Sequence, residues 1–485
     1  MSKKQMHKQK KAGTNKLKPN AGTQPVFLFV LFQIVAFLTV FSAGRGTAYL
    51  YMLAPLTVIV FGGWVIVYQT RAETAFFLNA AMLLTFGTMI QCMLMSEDVR
   101  PTSLMIHYIA AAVVGLLAGF LYKRLPIIAS ARGTMLLIII SVSFYVLTLL
   151  LGVAAGDGVT NWLSVGSLFT FQPSEFNKGI YVLVLAGLLC TKENPGRKRV
   201  IAALLITLIN LGFLGLQGEF GTFLLILCTF LCMVFLFVPD IRVFGVIFLT
   251  LIGSCGAAVA LCSFLLRVTG GESNIGFIAF GLRQIRKIQN RFVYWLDPAS
   301  DAQGAGYQIL QARKALLNSD LFGSDTTTAL INPTNDMVFP ALTERCGLLI
   351  ALTVCLLFGL LVIRGTRIYF SCADRYHQAV AAGLTFQLIL QAFIIIGGSI
   401  GLLPLTGITL PLISRGGSSL MSTFVFLAVI LVISSGNLWD GRRDYSQYAL
   451  KLQKTSAMHT KRIRALRDRT RRGSSVDDAR QSGES

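Results

Sequence analysis

Charged residues are scarce in this sequence. Asp, Glu, Lys and Arg together make up 13% of the 485 residues, while 54% of the residues are hydrophobic. A typical water-soluble domain carries about 25% charged residues. The composition therefore excludes a soluble globular protein of this size and predicts that lipid surrounds most of the chain.

Acidic residues are missing from the first 20 residues, which contain seven lysines, and a second basic cluster follows at 451–472. The net charge of +21 is therefore concentrated at the two ends. No known nucleic-acid module or interleaved aromatic pattern accompanies these basic clusters, so we predict no nucleic-acid partner. We expect two basic cytoplasmic tails that contact anionic membrane lipids.

Metal-binding patterns are also missing. The chain has nine cysteines and four histidines, without the spacing of a structural metal site. Cys228 and Cys232, four residues apart, could share one helix face as a ligand pair, but both lie in an apolar run and fit better as small core residues. The sequence predicts no metal site built from these residues.

Long hydrophobic runs dominate what is present. A helix needs roughly 17 to 25 apolar residues to cross a bilayer. Twelve runs meet this length. The first run follows a polar leader without a clear cleavage site, so we expect this run to be retained as a membrane anchor. The predicted fold is an all-α polytopic membrane protein of about twelve helices, at 25–43, 49–68, 75–95, 106–122, 133–154, 175–191, 199–217, 220–238, 243–265, 341–363, 377–399 and 417–436.

The distribution of Lys and Arg over the short loops predicts the orientation. Loops after every second run are basic, and positive residues are retained on the cytoplasmic side. The prediction is a multi-pass protein of the cell membrane with both termini in the cytoplasm.

Three outward segments are too rich in Gly, Pro and polar residues to be simple connections: 152–174, 267–340 and 401–417. The second is a large extracytoplasmic loop that contains an amphipathic pattern near 280–298, typical of a helix at the membrane interface. This helix could bind a ligand or only anchor the loop. The third predicts a re-entrant or broken element that lines a cavity.

Five blocks of sequence carry a resemblance to a known family. They are NWLSVGSLFTFQPSEFNKG, QGEFGT, LDPASDAQGAGYQILQARKAL, NPTNDMVFPALTERCGLL and GLLPLTGITLPLISRGGSSL. In order and spacing they resemble the SEDS proteins (shape, elongation, division and sporulation), the RodA/FtsW-like glycosyltransferases. The resemblance predicts four parts: a basic cytoplasmic tail at 1–24, additional N-terminal membrane helices at 25–105, a glycosyltransferase core at 106–436, and a basic, disordered cytoplasmic tail at 437–485.

The resemblance implies a peptidoglycan glycosyltransferase that polymerises lipid II into β-1,4 glycan strands and displaces undecaprenyl pyrophosphate with inversion. It also implies a class B penicillin-binding transpeptidase as partner, because new strands must be crosslinked. A flippase for the lipid-linked precursor and a non-catalytic scaffold for a transpeptidase are the alternatives. The polar residues collect at the outer face rather than along the full membrane depth, which argues against transport.

Chain growth requires a base that activates a sugar hydroxyl, and a carboxylate at the outer rim is the natural candidate. Asp336 ends the long outward loop just before an apolar run. From position alone, a helix cap is the favoured explanation. The resemblance assigns Asp336 the catalytic role.

Further residues of the five blocks are candidates for substrate binding. Glu175 and Lys178 are spaced to pair, either to anchor a helix or to line the cavity, and Trp162 could stack on a sugar or belong to the interfacial aromatic belt. An intramembrane carboxylate such as Glu344 needs a partner, and an ion pair with another helix is expected. The remaining candidates are Glu219, Ser414 and Ser418, and, for the pyrophosphate, Arg283, Arg286 and Arg291 or a divalent cation such as Mg²⁺ or Mn²⁺.

Overall fold

The computed structural model of the chain describes residues 24–42, 44, 46–95, 101–155, 159–165, 169–190, 195–268, 276–324 and 327–436. Most of both predicted tails, residues 1–23 and 437–485, lies outside the described residues.

Apolar helices make up most of the described chain, as expected where each spanning segment must satisfy its own backbone hydrogen bonds. Two short 3₁₀ helices, at Pro126–Ala129 and Pro298–Asp301, connect longer elements. The α-helices are α1 (Gln24–Ser42), α2 (Gly46–Thr70), α3 (Thr74–Leu94), α4 (Thr102–Arg124), α5 (Ala131–Leu151), α6 (Pro173–Leu189), α7 (Arg197–Gln217), α8 (Phe220–Phe237), α9 (Ile241–Val268), α10 (Gly276–Leu296), α11 (Ala305–Leu317), α12 (Val338–Cys346), α13 (Leu348–Ser371), α14 (Arg375–Ser399) and α15 (Gly417–Ser434).

Each of the twelve predicted apolar runs is helical over most of its length, and the all-α polytopic class is confirmed. Within the described residues, nine helices are long and apolar enough to cross a membrane: α2 to α5, α7, α8 and α13 to α15. The count of twelve spans stays a prediction. The amphipathic pattern of the large outward loop is confirmed as helix α10.

One predicted span is divided. The run at 341–363 was expected to be continuous, but α12 ends at Cys346 and α13 begins at Leu348. Gly347 between them has φ +92, a conformation that residues with a side chain rarely adopt. A Cβ there would lie 2.4 Å from the Leu321 carbonyl oxygen. The outward loop therefore packs directly on this break, which only glycine permits.

A small antiparallel sheet lies in the first outward segment, where the sequence predicted no strands. Its order is β1 (Val153–Ala155), β2 (Val159–Val165) and β3 (Phe169–Phe171). The strands are short, and the sequence pattern of so short an element is weak.

Burial follows the pattern of a protein surrounded by lipid. Large apolar side chains on the peripheral helices are exposed, among them Leu150 at 74% and Val58 at 71%. Polar side chains such as Gln91, Gln387 and Gln391 lie inside, on α3 and α14. This inverted distribution is expected when the surrounding solvent is as apolar as the helices' outer faces.

The segment between α14 and α15, residues 400–416, is not helical, which confirms the prediction of a broken element. It packs closely on α3, because a Cβ at Gly87 would lie only 2.2 Å from the carbonyl oxygen of Leu412. This broken segment forms one wall of the site described next.

Candidate active site around Asp336

Asp336 lies in a tight loop immediately before α12. The loop closes on itself through backbone hydrogen bonds from Asn335 N and Met337 N to the Asn332 carbonyl oxygen, at 3.1 and 3.3 Å. Met337, not Asp336, is the N-cap residue of α12, and no side chain caps this helix. The geometry therefore does not favour the helix-cap explanation of Asp336.

The broken segment holds this loop in place. The Ser414 hydroxyl donates to the Asn335 carbonyl oxygen at 2.9 Å, and the Arg415 backbone N–H donates to the Thr334 carbonyl oxygen at 2.9 Å. Gln91 of α3 donates to the carbonyl oxygens of both Thr334 and Ile413, at 2.9 and 3.0 Å. Ser414 is buried and fixes the position of the Asp336 loop; its predicted role in substrate binding stays a prediction.

The carboxylate of Asp336 is half-buried and accepts no hydrogen bond from any residue that the structure describes. Gly407 of the broken segment faces it: a Cβ there would lie 3.7 Å from Asp336 Oδ2. Burial raises the pKa of Asp336 to about 6, and the positive charge of Arg291 opposes this shift. A carboxylate with this pKa is largely ionised at neutral pH and remains basic enough to accept a proton.

Arg291 of α10 is the predicted cation that the structure brings to Asp336. Its Nη1 donates to the Thr406 carbonyl oxygen at 3.1 Å, next to Gly407, and its guanidinium lies 5.8 Å from the centroid of the Phe220 ring. Arg286 is exposed on the same helix. Arg283 belongs to the part of α10 whose side chains lie outside the description.

Glu175 and Lys178 form the predicted pair. Lys178 Nζ lies 2.7 Å from Glu175 Oε2, with both side chains almost completely buried. Lys178 also donates to Gln391 Oε1 at 2.9 Å, and the Ser422 hydroxyl donates to Glu175 Oε2 at 3.2 Å. These contacts join α6, α14 and α15 in one buried polar network, the kind of pairing that two buried charges require.

The network continues from α14 to the broken segment. Gln391 Nε2 donates to the Thr409 carbonyl oxygen at 2.8 Å, and the Thr409 hydroxyl donates to Ser419 Oγ at 2.5 Å. Gln391 therefore connects the buried ion pair to the segment that faces Asp336.

Glu219 lies between α7 and α8, outside the apolar helices. Its Oε1 accepts from Gln172 Nε2 at 2.9 Å, and Gln172 N donates to the hydroxyl of Ser418 at 3.0 Å. Burial raises the pKa of Glu219, while hydrogen bonds from neighbouring side chains, first among them Gln172, oppose the shift. Ser418 and Glu219 thus hold Gln172 at the start of α6, and Glu219 makes no side-chain cap to α8.

The prediction of an ion pair between Glu344 and another helix is wrong. In the described part of the chain its carboxylate forms no ion pair. It accepts from the backbone N–H of Thr328 at 3.0 Å and from the Thr328 hydroxyl at 2.5 Å. The outward loop folds back onto α12 and supplies neutral donors, so the carboxylate is satisfied without a cation.

Trp162 is half-buried on β2, where its backbone pairs with Val153. Its role in stacking on a sugar stays a prediction.

Among the described residues, no group of three or more His, Cys, Asp or Glu side chains could hold a metal ion.

Gln91, Gln391 and Ser422 are the site residues that sequence analysis missed. Each is a polar side chain within an apolar run, and such residues usually face a bundle interior. That signal identifies a buried position but not the partner, which lies far away in sequence in each case.

Fold and site together define a polytopic α-helical membrane protein in which non-helical segments hold a half-buried carboxylate beside an arginine. The family model described as "Cell cycle protein", of the FtsW, RodA and SpoVE proteins, matches residues 70–437. The chain belongs to this family, and the resemblance to SEDS proteins is confirmed. The match includes α3, whereas α1 and α2 precede it; the predicted division at residue 105 stays a prediction.

Curated relatives include a sporulation protein, a RodA and an FtsW. Stage V sporulation protein E of Bacillus subtilis is 31% identical over 333 residues, 67% of this chain and 84% of that protein. The peptidoglycan glycosyltransferase RodA of Mycobacterium tuberculosis is 30% identical over 58% of each chain, so this chain spans little more than half of that protein. A probable peptidoglycan glycosyltransferase FtsW of Hahella chejuensis is 27% identical over 68% of this chain and 80% of that protein.

Solved structures share the fold. A chain of a peptidoglycan synthase complex that coordinates polymerization and crosslinking matches with a TM-score of 0.56 and 24% identity, over 75% of this chain and 97% of that chain. RodA of Thermus thermophilus matches with a TM-score of 0.50 and 23% identity, over 76% and 98%.

Proposed function

We propose that this chain is a peptidoglycan glycosyltransferase that polymerises lipid II into β-1,4 glycan strands at the outer membrane face. The observation that carries the proposal is the carboxylate of Asp336, which is half-buried, accepts no hydrogen bond from the described residues and has a pKa of about 6. The activity in the names of the RodA and FtsW relatives supports the same reaction.

The reaction is a single displacement at the donor's anomeric carbon. Asp336 takes the proton from the 4-hydroxyl of the acceptor sugar as that oxygen forms the new glycosidic bond. The bond from the anomeric carbon to the lipid pyrophosphate breaks, and its electron pair leaves with undecaprenyl pyrophosphate. Attack opposite the leaving group converts an α-linked donor to a β-linked product, and one base suffices because no covalent intermediate forms.

The leaving pyrophosphate needs positive charge. Arg291 is the described cation whose charge reaches Asp336, and its Nη1 donates to the Thr406 carbonyl oxygen in the segment that faces this carboxylate. Arg286 lies one and a half turns earlier on α10, and a divalent cation held by substrate phosphates would serve the same purpose.

The buried pair of Glu175 and Lys178 has a structural role in the site and does not contact the substrate. Glu175 and Lys178 form an ion pair with each other. Lys178 also donates to Gln391, and Glu175 accepts from the Ser422 hydroxyl. We assign this network the task of holding the broken segment, through Thr409, in the position that faces Asp336.

The orientation and the partner complete the proposal. Basic loops at alternate helix ends support cytoplasmic termini and an outward Asp336. A class B penicillin-binding transpeptidase is the expected partner, because polymerised strands require crosslinking.

The test is Asp336→Asn, assayed with purified full-length protein and lipid II. Asn is nearly isosteric but is not a base, so polymerisation should fall on the order of a hundredfold to ten-thousandfold while lipid II binding persists. Asp320→Asn is a matched control, because Asp320 is an exposed carboxylate of the same outward region. A polymerisation rate close to wild type for Asp336→Asn would refute Asp336 as the base. Absence of polymerisation by the wild-type protein would leave the flippase and scaffold alternatives.

A further inference from the structure

An apolar groove is lined by residues of α2, α3, α4 and α15 and by Leu412 of the broken segment. It has a volume of about 560 Å³ and lies between α2 and α4, with α3 and α15 beneath. This volume is within the range of roughly 300–1,000 Å³ that is usual for ligand sites. One of its walls, α2, precedes the part of the chain that matches the family model.

The groove has one polar end. Thr70, Lys123 and Ser435 line it there, at the last residues of α2 and α4 and just after α15. Arg124, the next residue, does not line the groove, but its guanidinium lies 5.5 Å from the ring centroid of Phe120, which does. Glu73, the carboxylate at the start of α3, already pairs with Arg364 at 3.4 Å.

The length of the groove matches one membrane leaflet. Its lining on α2 runs from Val58 to Thr70, roughly 18 Å at 1.5 Å per residue. Half of the hydrocarbon core is about 15 Å thick. A partner's transmembrane helix, about 10 Å wide and crossing the full thickness, would not fit this shape, whereas a single acyl chain would.

We propose that this groove binds a phospholipid with an anionic headgroup, its acyl chain between α2 and α4 and its phosphate at Lys123. A lysine at one end of an otherwise apolar slot is complementary to such an amphipathic anion. The Thr70 and Ser435 hydroxyls already donate to the carbonyl oxygens of Ile66 and Val432, at 2.7 and 2.8 Å, so Lys123 supplies the charge for the headgroup. Leu412 of the broken segment lines the groove, so the bound chain also packs against the segment that holds the Asp336 loop.

Gly62 provides the test. A Cβ at Gly62 would meet no atom within 4 Å, so Gly62→Leu fills the groove without a clash inside the protein. Gly359→Leu is the matched control, because Gly359 of α13 is equally open and lies outside the groove. Lys123→Gln, at an exposed position, tests the headgroup without risk to folding.

The measurement is native mass spectrometry of delipidated full-length protein titrated with phosphatidylglycerol or phosphatidylcholine. We expect the wild type and Gly359→Leu to retain phosphatidylglycerol preferentially. Gly62→Leu should weaken that binding on the order of tenfold, since it displaces buried methylene groups. Lys123→Gln should weaken it about fivefold, as expected for one cation at an anionic headgroup.

Equal retention of the two lipids by the wild type would overturn the proposal. Unchanged phosphatidylglycerol binding in both Gly62→Leu and Lys123→Gln would also overturn it. A third titration, with a polyprenyl monophosphate, addresses the other source of a phosphate with an apolar tail, and tighter binding of that compound would refute the assignment to a phospholipid.

Discussion

The pH dependence of polymerisation follows directly from the environment of Asp336. The base must be ionised, so activity is present above its pKa and is lost as the pH falls through that value. With a pKa of about 6, about nine-tenths of the carboxylate is ionised at pH 7 and about one-tenth at pH 5. The rate at pH 5 should therefore be about a tenth of the rate at pH 7, whereas an ordinary aspartate would remain mostly ionised.

Arg291→Gln distinguishes Asp336 from titrating groups of the substrate. Arg291 lowers the pKa of Asp336 against the effect of burial. Its removal should shift the acidic limb of the profile to higher pH, while Arg286→Gln should leave the midpoint where it is. The assay is the initial rate of polymerisation between pH 5 and 8 at lipid II concentrations well below KM, because kcat/KM reports the pKa of the free enzyme.

Two results would refute this reasoning. A rate that stays constant down to pH 5 would mean that the carboxylate is not the titrating base. An acidic limb that does not move in Arg291→Gln would assign the titration to a group other than Asp336.

Two further predictions concern topology and the buried ion pair. A reporter enzyme that is active only outside the cytoplasm should be active when fused after Gly304 and silent after Arg197; activity at Arg197 would contradict the orientation. Lys178→Met leaves Glu175 as an unpaired buried charge and should destabilise the fold by about 3–5 kcal/mol, measured by unfolding in detergent. The double variant with Glu175→Gln should recover part of this loss, and an unchanged melting temperature in Lys178→Met would contradict the structural role of the pair.

The apolar runs in the sequence were sufficient to predict the helices. A helix in lipid satisfies its backbone within one continuous segment, so its apolar run is visible without knowledge of any neighbour. Exceptions arose where another part of the chain imposes the conformation. Gly347 interrupts a run that remains apolar, because the loop around Leu321 packs against it.

The sequence by itself also determined the family, since the blocks that carry it are short and contiguous, and it singled out Asp336 as a candidate base. Only the tertiary structure decided which groups surround that residue. Arg291 lies 45 residues before Asp336 in the chain, and Gln91 reaches the same loop from α3. Glu344 received neutral donors from Thr328 where a cation was expected. Such partners are chosen by packing between distant segments, and neither helical periodicity nor residue type encodes that choice.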